Sequence, residues 1–381
     1  MPWAINGLDK RIALRTLSYI GPSMKSQITV WLLASIALSS VLPNIMVTTV
    51  FVPISVAMLA SAGHTDIPKS KAAIPILLAV AWGAVLGGGI TPLGGAMNLV
   101  AIDYMEDFTG HEFMYSDWVL QLFPYIIIAT IVLLVYMLLM PLETKRLEGT
   151  KEYFAQSYKE LGPMKRDEKI SAAMFIIALA ASFARPLYAD ILPGLSPSYI
   201  FLILGSLNFV ITTKEKELFL TWKVAEKNTL WGMMISFAGG MALGKLINGS
   251  GATAVIAEMI SGMNLDGGLT TVIIVVVFAR LISELTNSTT SAAIVIPIVF
   301  AFCQELGLNP VPYWFITTMS YNANFIFPIS VRAVPMAYGI DAGKMFKRGW
   351  PISVISMIVI IIFGYLAIEF MPWFGSLSYM N

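Results

Sequence analysis

The stretch Ser283-Glu284-Leu285-Thr286-Asn287-Ser288-Thr289-Thr290-Ser291 interrupts an apolar segment that otherwise runs from 269 to 304. A helix crosses a bilayer with roughly 20 apolar residues. A longer run with hydroxyls, an amide and a carboxylate at its middle therefore reads as a hairpin with a polar tip. A second segment, 28–62, is broken in the same way by Ser39-Ser40-Val41-Leu42-Pro43-Asn44, followed by Thr48-Thr49. Irregular backbone at membrane depth survives only where it is buried in protein or lines a wet cavity. Both tips are therefore expected to face a polar interior.

The rest of the chain agrees with this reading. It has 381 residues, of which 57% are hydrophobic and 12% charged. A soluble domain carries about 25% charged residues, so a soluble enzyme, a nucleic-acid binder and a disordered scaffold are excluded. Further apolar runs lie at 72–104, 119–141, 169–188, 196–212, 229–248, 312–340 and 349–372. Their continuity argues for helices against the alternating strands of a β-barrel. The single cysteine, Cys303, excludes a disulfide framework and reads as a small buried apolar residue. Met1–Gly7 lacks the basic start and apolar run of a signal peptide. The fold class expected is an all-α polytopic membrane protein.

Basic residues set the orientation. Twenty of the 24 Lys and Arg fall in 1–26, 63–71, 142–169, 213–228 and 341–349. The segments 105–118, 189–195, 249–268, 305–311 and 373–381 contain none. By the positive-inside rule the first set is cytoplasmic and the second external. Both flanks of 28–62 are then cytoplasmic and both flanks of 269–304 external. The two hairpins are expected to be re-entrant, with opposite sense. The stretches 8–20, 150–162 and 250–262 are expected to lie along the interface.

The hairpin regions also repeat. Ile5-Asn6-Gly7 recurs as Ile247-Asn248-Gly249, Pro53-Ile54 as Pro297-Ile298, and Pro92 corresponds to Pro328. Inverted repeats whose discontinuous helices meet near the midplane are the architecture of secondary transporters. Three crossings precede Ile-Asn-Gly in the second unit, whereas the first unit begins almost at Met1. The chain is therefore expected to lack N-terminal helices that a complete transporter would have. The organisation expected is a cytoplasmic segment 1–26, a first transport region 27–118 (hairpin 28–62, broken helix 72–104) and scaffold helices 119–248 with a cytoplasmic segment 142–168. A second transport region 249–348 (hairpin 269–304, broken helix 312–340) and a last scaffold helix with its tail, 349–381, follow.

Each tip has a partner break in the helix that follows it. The first is Gly87-Gly88-Gly89-Ile90-Thr91-Pro92-Leu93-Gly94-Gly95-Ala96-Met97-Asn98. In the second unit the breaks are Asn322-Ala323-Asn324 and Pro328-Ile329-Ser330-Val331-Arg332-Ala333-Val334-Pro335. Hydroxyls, amide oxygens and freed carbonyls suit an alkali cation, and N–H groups at half-helix N-termini suit a carboxylate.

Asn287-Ser288-Thr289 within Ser283–Ala293 resembles the second Ser-Asn-Thr signature of the divalent anion/sodium symporter family. Thr91-Pro92-Leu93-Gly94-Gly95-Ala96-Met97-Asn98 is similar to that family's Thr-Pro-x-Gly-Thr-Pro-Pro-Asn segment, and Leu8–Leu14 to its amphipathic stretch. The resemblance covers nearly all of the chain. It implies an inverted-repeat, elevator-type homodimer in the cell (inner) membrane that moves dicarboxylates, citrate or sulfate, usually with sodium. It implies a first Na+ site at Ser39, Asn44 and Gly94, and a second at Ser283, Ser288 and Ser330. Substrate contacts are implied at Asn44, Thr48, Ser288, Thr289, Val331 and Arg332. The chain departs from the family pattern at Pro43-Asn44-Ile45, in the order Asn-Ser-Thr, and at Ser330–Val334, where the family has Ser/Ala-Thr-Pro-Pro-Asn.

Arg332 is the one basic residue within a binding-site break. An intramembrane charge normally faces a partner or a cavity. Two readings stand: a bidentate grip on a substrate carboxylate or sulfate, replacing one sodium's charge, or a buried pair with Glu284. Glu284 itself reads as structural rather than as a proton carrier. Arg185 and Lys245 are expected to reach toward an interface.

The function expected is secondary transport of small anions, di- or tricarboxylates first, by sodium symport or exchange. Sulfate transport, cation/proton antiport and a truncated, non-transporting remnant are the alternatives. No cofactor is expected beyond Na+ as coupling ion. A membrane enzyme is not expected, since no His-Glu-x-x-His helix, aspartate pair or Ser/His pair falls at membrane depth.

Overall fold

The computed structural model describes residues 7–18, 21–212, 218–229, 231–252, 255 and 265–378. Ile5 and Asn6 of the repeat and most of the stretch 250–262 lie outside the described residues. Among those described, no β-strand forms beyond two isolated bridges.

The first unit runs α1 (Leu8–Leu17), α2 (Met24–Ser39), α3 (Asn44–Ser61), α4 (Ala73–Gly88), a 3-10 turn (Pro92–Gly94), α5 (Ala96–Thr109) and α6 (Tyr115–Leu139). Then follow α7 (Thr150–Glu160), α8 (Arg166–Phe183), α9 (Pro197–Leu207), α10 (Trp222–Asn228) and α11 (Trp231–Gly249). The second unit comprises α12 (Leu269–Leu285), α13 (Ser288–Glu305), α14 (Pro310–Tyr321), a 3-10 helix (Ser330–Tyr338) and α15 (Ala342–Phe370). The order helix, tip, helix, broken helix, long helix thus occurs twice. In the second unit the piece after the break is 3-10 rather than α.

Among the described residues, four helices are long and apolar enough to cross a membrane: α3, α6, α13 and α15. The apolar α4 and α9 are shorter. The expected run 72–104 is broken into α4, the 3-10 turn and α5. Pro92 starts that turn while Thr91 Oγ1 accepts from Leu93 N at 3.2 Å. Proline cannot donate to the ladder, and Gly87-Gly88-Gly89 before it has low helix propensity, so α4 ends ahead of this turn.

Small residues let the helices approach closely. Gly83 and Gly87, one turn apart on α4, face α2. A Cβ on Gly83 would lie 2.7 Å from Leu32 O, and one on Gly87 would collide with Ile36 O. This is the small-xxx-small packing that holds apolar helices together where lipid and side chain are equally greasy. In the second unit α12 meets α14, with Ser320 Oγ donating to Val276 O at 2.8 Å. The units are joined by Trp314 Nε1 donating to Ala101 O at 3.1 Å and by Tyr104 packed against α13. The long helices α6 and α15 pack on this assembly, α15 against α12 and α14, α6 against α2, α4 and α15. Helices α8 and α9 pair mainly with each other.

Two charged clusters fix the periphery. Arg11 on α1 reaches Glu168 at 3.1 Å and Gly162 O at 2.8 Å, tying α1 to the start of α8. Arg185 is buried and grips Glu112 through two bonds of 2.8 and 2.6 Å, with Leu192 O and Pro193 O as further acceptors. It is a structural clamp between loops, not a side chain stretched toward an interface. The fork geometry of guanidinium matches a carboxylate, which explains the clamp.

Candidate functional site

The two tips and the second break meet around one cavity of about 350 Å³. The first tip contributes Asn44 and Ile45, the second Asn287, Ser288 and Thr289, and the second break Asn324 and Ser330 to Arg332. Residues distant in sequence are thereby brought to one polar chamber. Of the residues named for substrate, Asn44, Ser288, Thr289, Val331 and Arg332 line it. Thr48 does not. It is fully buried, and its hydroxyl donates to Asn44 O at 2.9 Å, the usual back-bond of a helical threonine.

Local sequence explains the placement of each tip. Pro43 ends the first turn, so Asn44 opens α3 with its side-chain Oδ1 accepting from Ile45 N at 2.9 Å. Asn287 caps α13 by accepting from Thr290 N at 2.9 Å, an ordinary N-cap. Ser288 and Thr289 then start the helix at the cavity wall. Both helices begin at the chamber, so their unpaired N–H groups and positive dipole ends favour an anion there.

Arg332 lines the cavity and is also paired. Its Nη1 lies 2.7 Å from Glu284 Oε2, with both side chains nearly inaccessible. Glu284 is fully engaged: Oε1 accepts from Phe325 N at 2.9 Å and Ser353 Oγ at 2.9 Å, and Oε2 accepts from Ile326 N at 3.0 Å. Four donors hold this carboxylate in place, and it anchors the arginine. Of the two readings of Arg332, the pair with Glu284 is therefore present, in a guanidinium that also borders the chamber. One turn earlier on α12, Arg280 is buried with Nη2 on Ser356 Oγ at 3.1 Å, while its Nε and Nη1 have no partner.

Of the first cation set, Ser39 is buried and donates to Ala84 O at 2.8 Å. Asn44 stands over two glycines of the first break: a Cβ on Gly88 would lie 2.9 Å from its Nδ2, and one on Gly95 3.9 Å from its Oδ1. Gly94 is buried, and a Cβ there would collide with Gly88 O. Asn98 secures this break by donating to Gly88 O at 2.6 Å and Thr91 O at 2.8 Å. The oxygens of Ser39, Asn44 and Gly94 are hard donors, of the kind that suits an alkali cation.

The second set is different. Ser283 Oγ and Ser288 Oγ both donate to Tyr321 O, at 2.7 and 3.1 Å. Onto these oxygens falls Asn324 Nδ2, 2.7 Å from Ser283 Oγ, 3.0 Å from Ser288 Oγ and 3.3 Å from Tyr321 O. Ser330 makes none of the hydrogen bonds of this cluster. It lies at the cavity with φ 55, the one non-glycine residue described with positive φ.

Sequence reasoning missed the parts played by Asn324, Ser353 and Arg280. Asn324 was visible within the break, but only three-dimensional packing places its amide between two serines. Ser353 sits in an apolar helix where a lone serine carries no signal.

The family model described as the sodium:sulfate symporter transmembrane region matches residues 2–373. A sodium-dependent dicarboxylate transporter, SdcS, of Staphylococcus saprophyticus is 24% identical over 378 residues, covering 95% of this chain and 73% of the relative. Its namesake in Staphylococcus aureus strain MW2 is 26% identical over 379 residues, covering 94% of this chain and 72% of the relative.

Proposed function

The chain belongs to the sodium:sulfate symporter family, and from that membership we propose that it is a secondary transporter of small dianions, dicarboxylates foremost, coupled to sodium. The observation that carries this reading is the single chamber where both helical tips and Arg332 converge. Two helix N-termini and a guanidinium suit a ligand with two negative ends. We assign Asn44, Ser288, Thr289, Val331 and Arg332 to the substrate, and Ser39, Asn44 and Gly94 to a coupling sodium ion. Thr48 supports the tip from behind.

The two tips read as ends of re-entrant hairpins of opposite sense, related by an inverted repeat and seated in the inner membrane. Transport is then an elevator movement of the hairpin body within a homodimer. The hairpin and broken helices form the moving body, and the scaffold segments 119–248 and 349–381 the static frame.

Uptake of labelled succinate, citrate and sulfate into proteoliposomes, with inward sodium or potassium gradients, tests the proposal. Sodium-driven succinate uptake is expected. Sulfate in place of succinate would change the substrate and keep the mechanism, and no uptake of any of the three would defeat it.

A further inference from the structure

At the second cation position the fit fails, and the cause is a side chain. Asn324 Nδ2 stands within 3.5 Å of four oxygens: Ser283 Oγ, Ser283 O, Ser288 Oγ and Tyr321 O. Carbonyls only accept, so the amide must present its nitrogen to this cluster. Two N–H hydrogens are shared among more oxygens than they can serve singly, with the nitrogen occupying their centre. Asn324 is only 3% exposed.

The internal repeat supplies the control. Matching Pro92 to Pro328 sets Gly88 opposite Asn324, and matching Pro53 to Pro297 sets Ser39 opposite Ser283 and Asn44 opposite Ser288. In the first unit the break residue is therefore a glycine, and the space above it is taken by Asn44 from the tip. In the second unit the tip residue is a serine, and the amide comes from the break. The amide over the first break, Asn44, is itself a member of the first cation set, whereas Asn324 stands outside the second set of Ser283, Ser288 and Ser330.

We infer that the Asn324 amide occupies the second cation position permanently, so that this chain couples anion movement to sodium through the first position alone. The inference rests on the sodium-coupled reading above. A neutral amide satisfies the oxygens without the dehydration that a sodium ion requires. The positive charge that a second sodium would bring is supplied by fixed groups. The buried side chains of Glu284, Arg332 and Arg280 together carry a net positive charge, and Arg332 borders the substrate chamber. Asn324, which also lines the chamber, is thus a residue that determines coupling.

The test measures succinate uptake into proteoliposomes against external sodium for the wild type and for Asn324→Gly, together with the reversal potential of each. The wild type is expected to show a hyperbolic sodium dependence. Asn324→Gly restores the glycine of the first unit, and its curve is expected to become sigmoidal with one more sodium carried per succinate. Binding of radioactive sodium to the purified wild type needs no variant, and one saturable site per chain is expected. A sigmoidal wild-type curve, or two sodium ions bound per chain, overturns the inference and leaves sodium-coupled transport standing. Uptake indifferent to sodium overturns both.

Discussion

Glu284 and Arg332 meet at 2.7 Å across 48 residues of chain, and the pair forms part of the wall between the second hairpin and the last helix. Glu284 is held from four directions, so it cannot follow the arginine if Arg332 moves toward a ligand. Removing one partner of a buried pair strands the other charge and costs about 3–5 kcal/mol. Glu284→Gln is therefore expected to lower thermal stability in detergent strongly. The double variant Glu284→Gln/Arg332→Met is expected to recover most of that loss. A double variant no more stable than Glu284→Gln would show that the pair is not the source of the cost.

Arg332→Lys separates charge from geometry. Lysine keeps the positive charge but loses the planar fork, so it cannot serve Glu284 and a carboxylate together. A charge-assisted hydrogen bond contributes about 1.5–3 kcal/mol. The half-saturation constant for succinate is thus expected to rise by roughly ten-fold or more in Arg332→Lys. Unchanged affinity in kinetic uptake would reduce Arg332 to a structural partner of Glu284.

Ser330 is held at φ 55, in the left-handed region that disfavours any residue with a Cβ. Such a conformation costs roughly 1–2 kcal/mol for an L-residue. Ser330→Gly is expected to raise the unfolding temperature, and Ser330→Val to lower it. If the hydroxyl also touches the substrate, the glycine variant will bind more weakly while being more stable. Measuring melting and uptake on the same preparation distinguishes the two effects.

Much of this was legible from residues alone, and the limit has a physical basis. The polar tip Ser283–Ser291 and the glycine-rich break at Gly87–Asn98 stand out because lipid tolerates no unsatisfied backbone, so their position in an apolar run carries information. Chain order then pairs each tip with the break after it. The function of Asn324 was not legible, since an amide in a break can donate, accept or bind an ion, and only the direction of Ser283, Ser288 and Tyr321 decides. Thr48 illustrates the opposite error. Its hydroxyl suggested a substrate contact, yet a threonine one turn into a helix satisfies itself on the carbonyl of Asn44.

Gly87 tests the close packing of α2 against α4. A methyl there would run into Ile36 O and lie 2.9 Å from Ser39 Cβ. The backbone of α2 cannot yield without moving the first tip, so Gly87→Ala is expected to cost both stability and sodium affinity. Overpacking a filled interior costs about 1–3 kcal/mol. A weakening of sodium activation beyond that of a destabilised control variant elsewhere on α4 would tie the glycine to the cation position.

Arg280 offers the sharpest test of how charge is balanced. It is 3% exposed, bonds Ser356 through one nitrogen and leaves Nε and Nη1 without partners. Buried donors left unmade cost about 1–3 kcal/mol, more on a charged group. Glu284 is already matched one-to-one by Arg332, so Arg280 brings a positive charge that no acid nearby cancels by hydrogen bonding. A chain selected for stability alone would place an apolar side chain here. Arg280→Met is of similar length and is expected to raise the melting temperature without substrate. It is also expected to weaken dianion binding, because one fixed positive charge is lost from behind the chamber. Should Arg280→Met melt lower and bind succinate as well as the wild type, the arginine is a structural element whose partners form only in another state of the transport cycle.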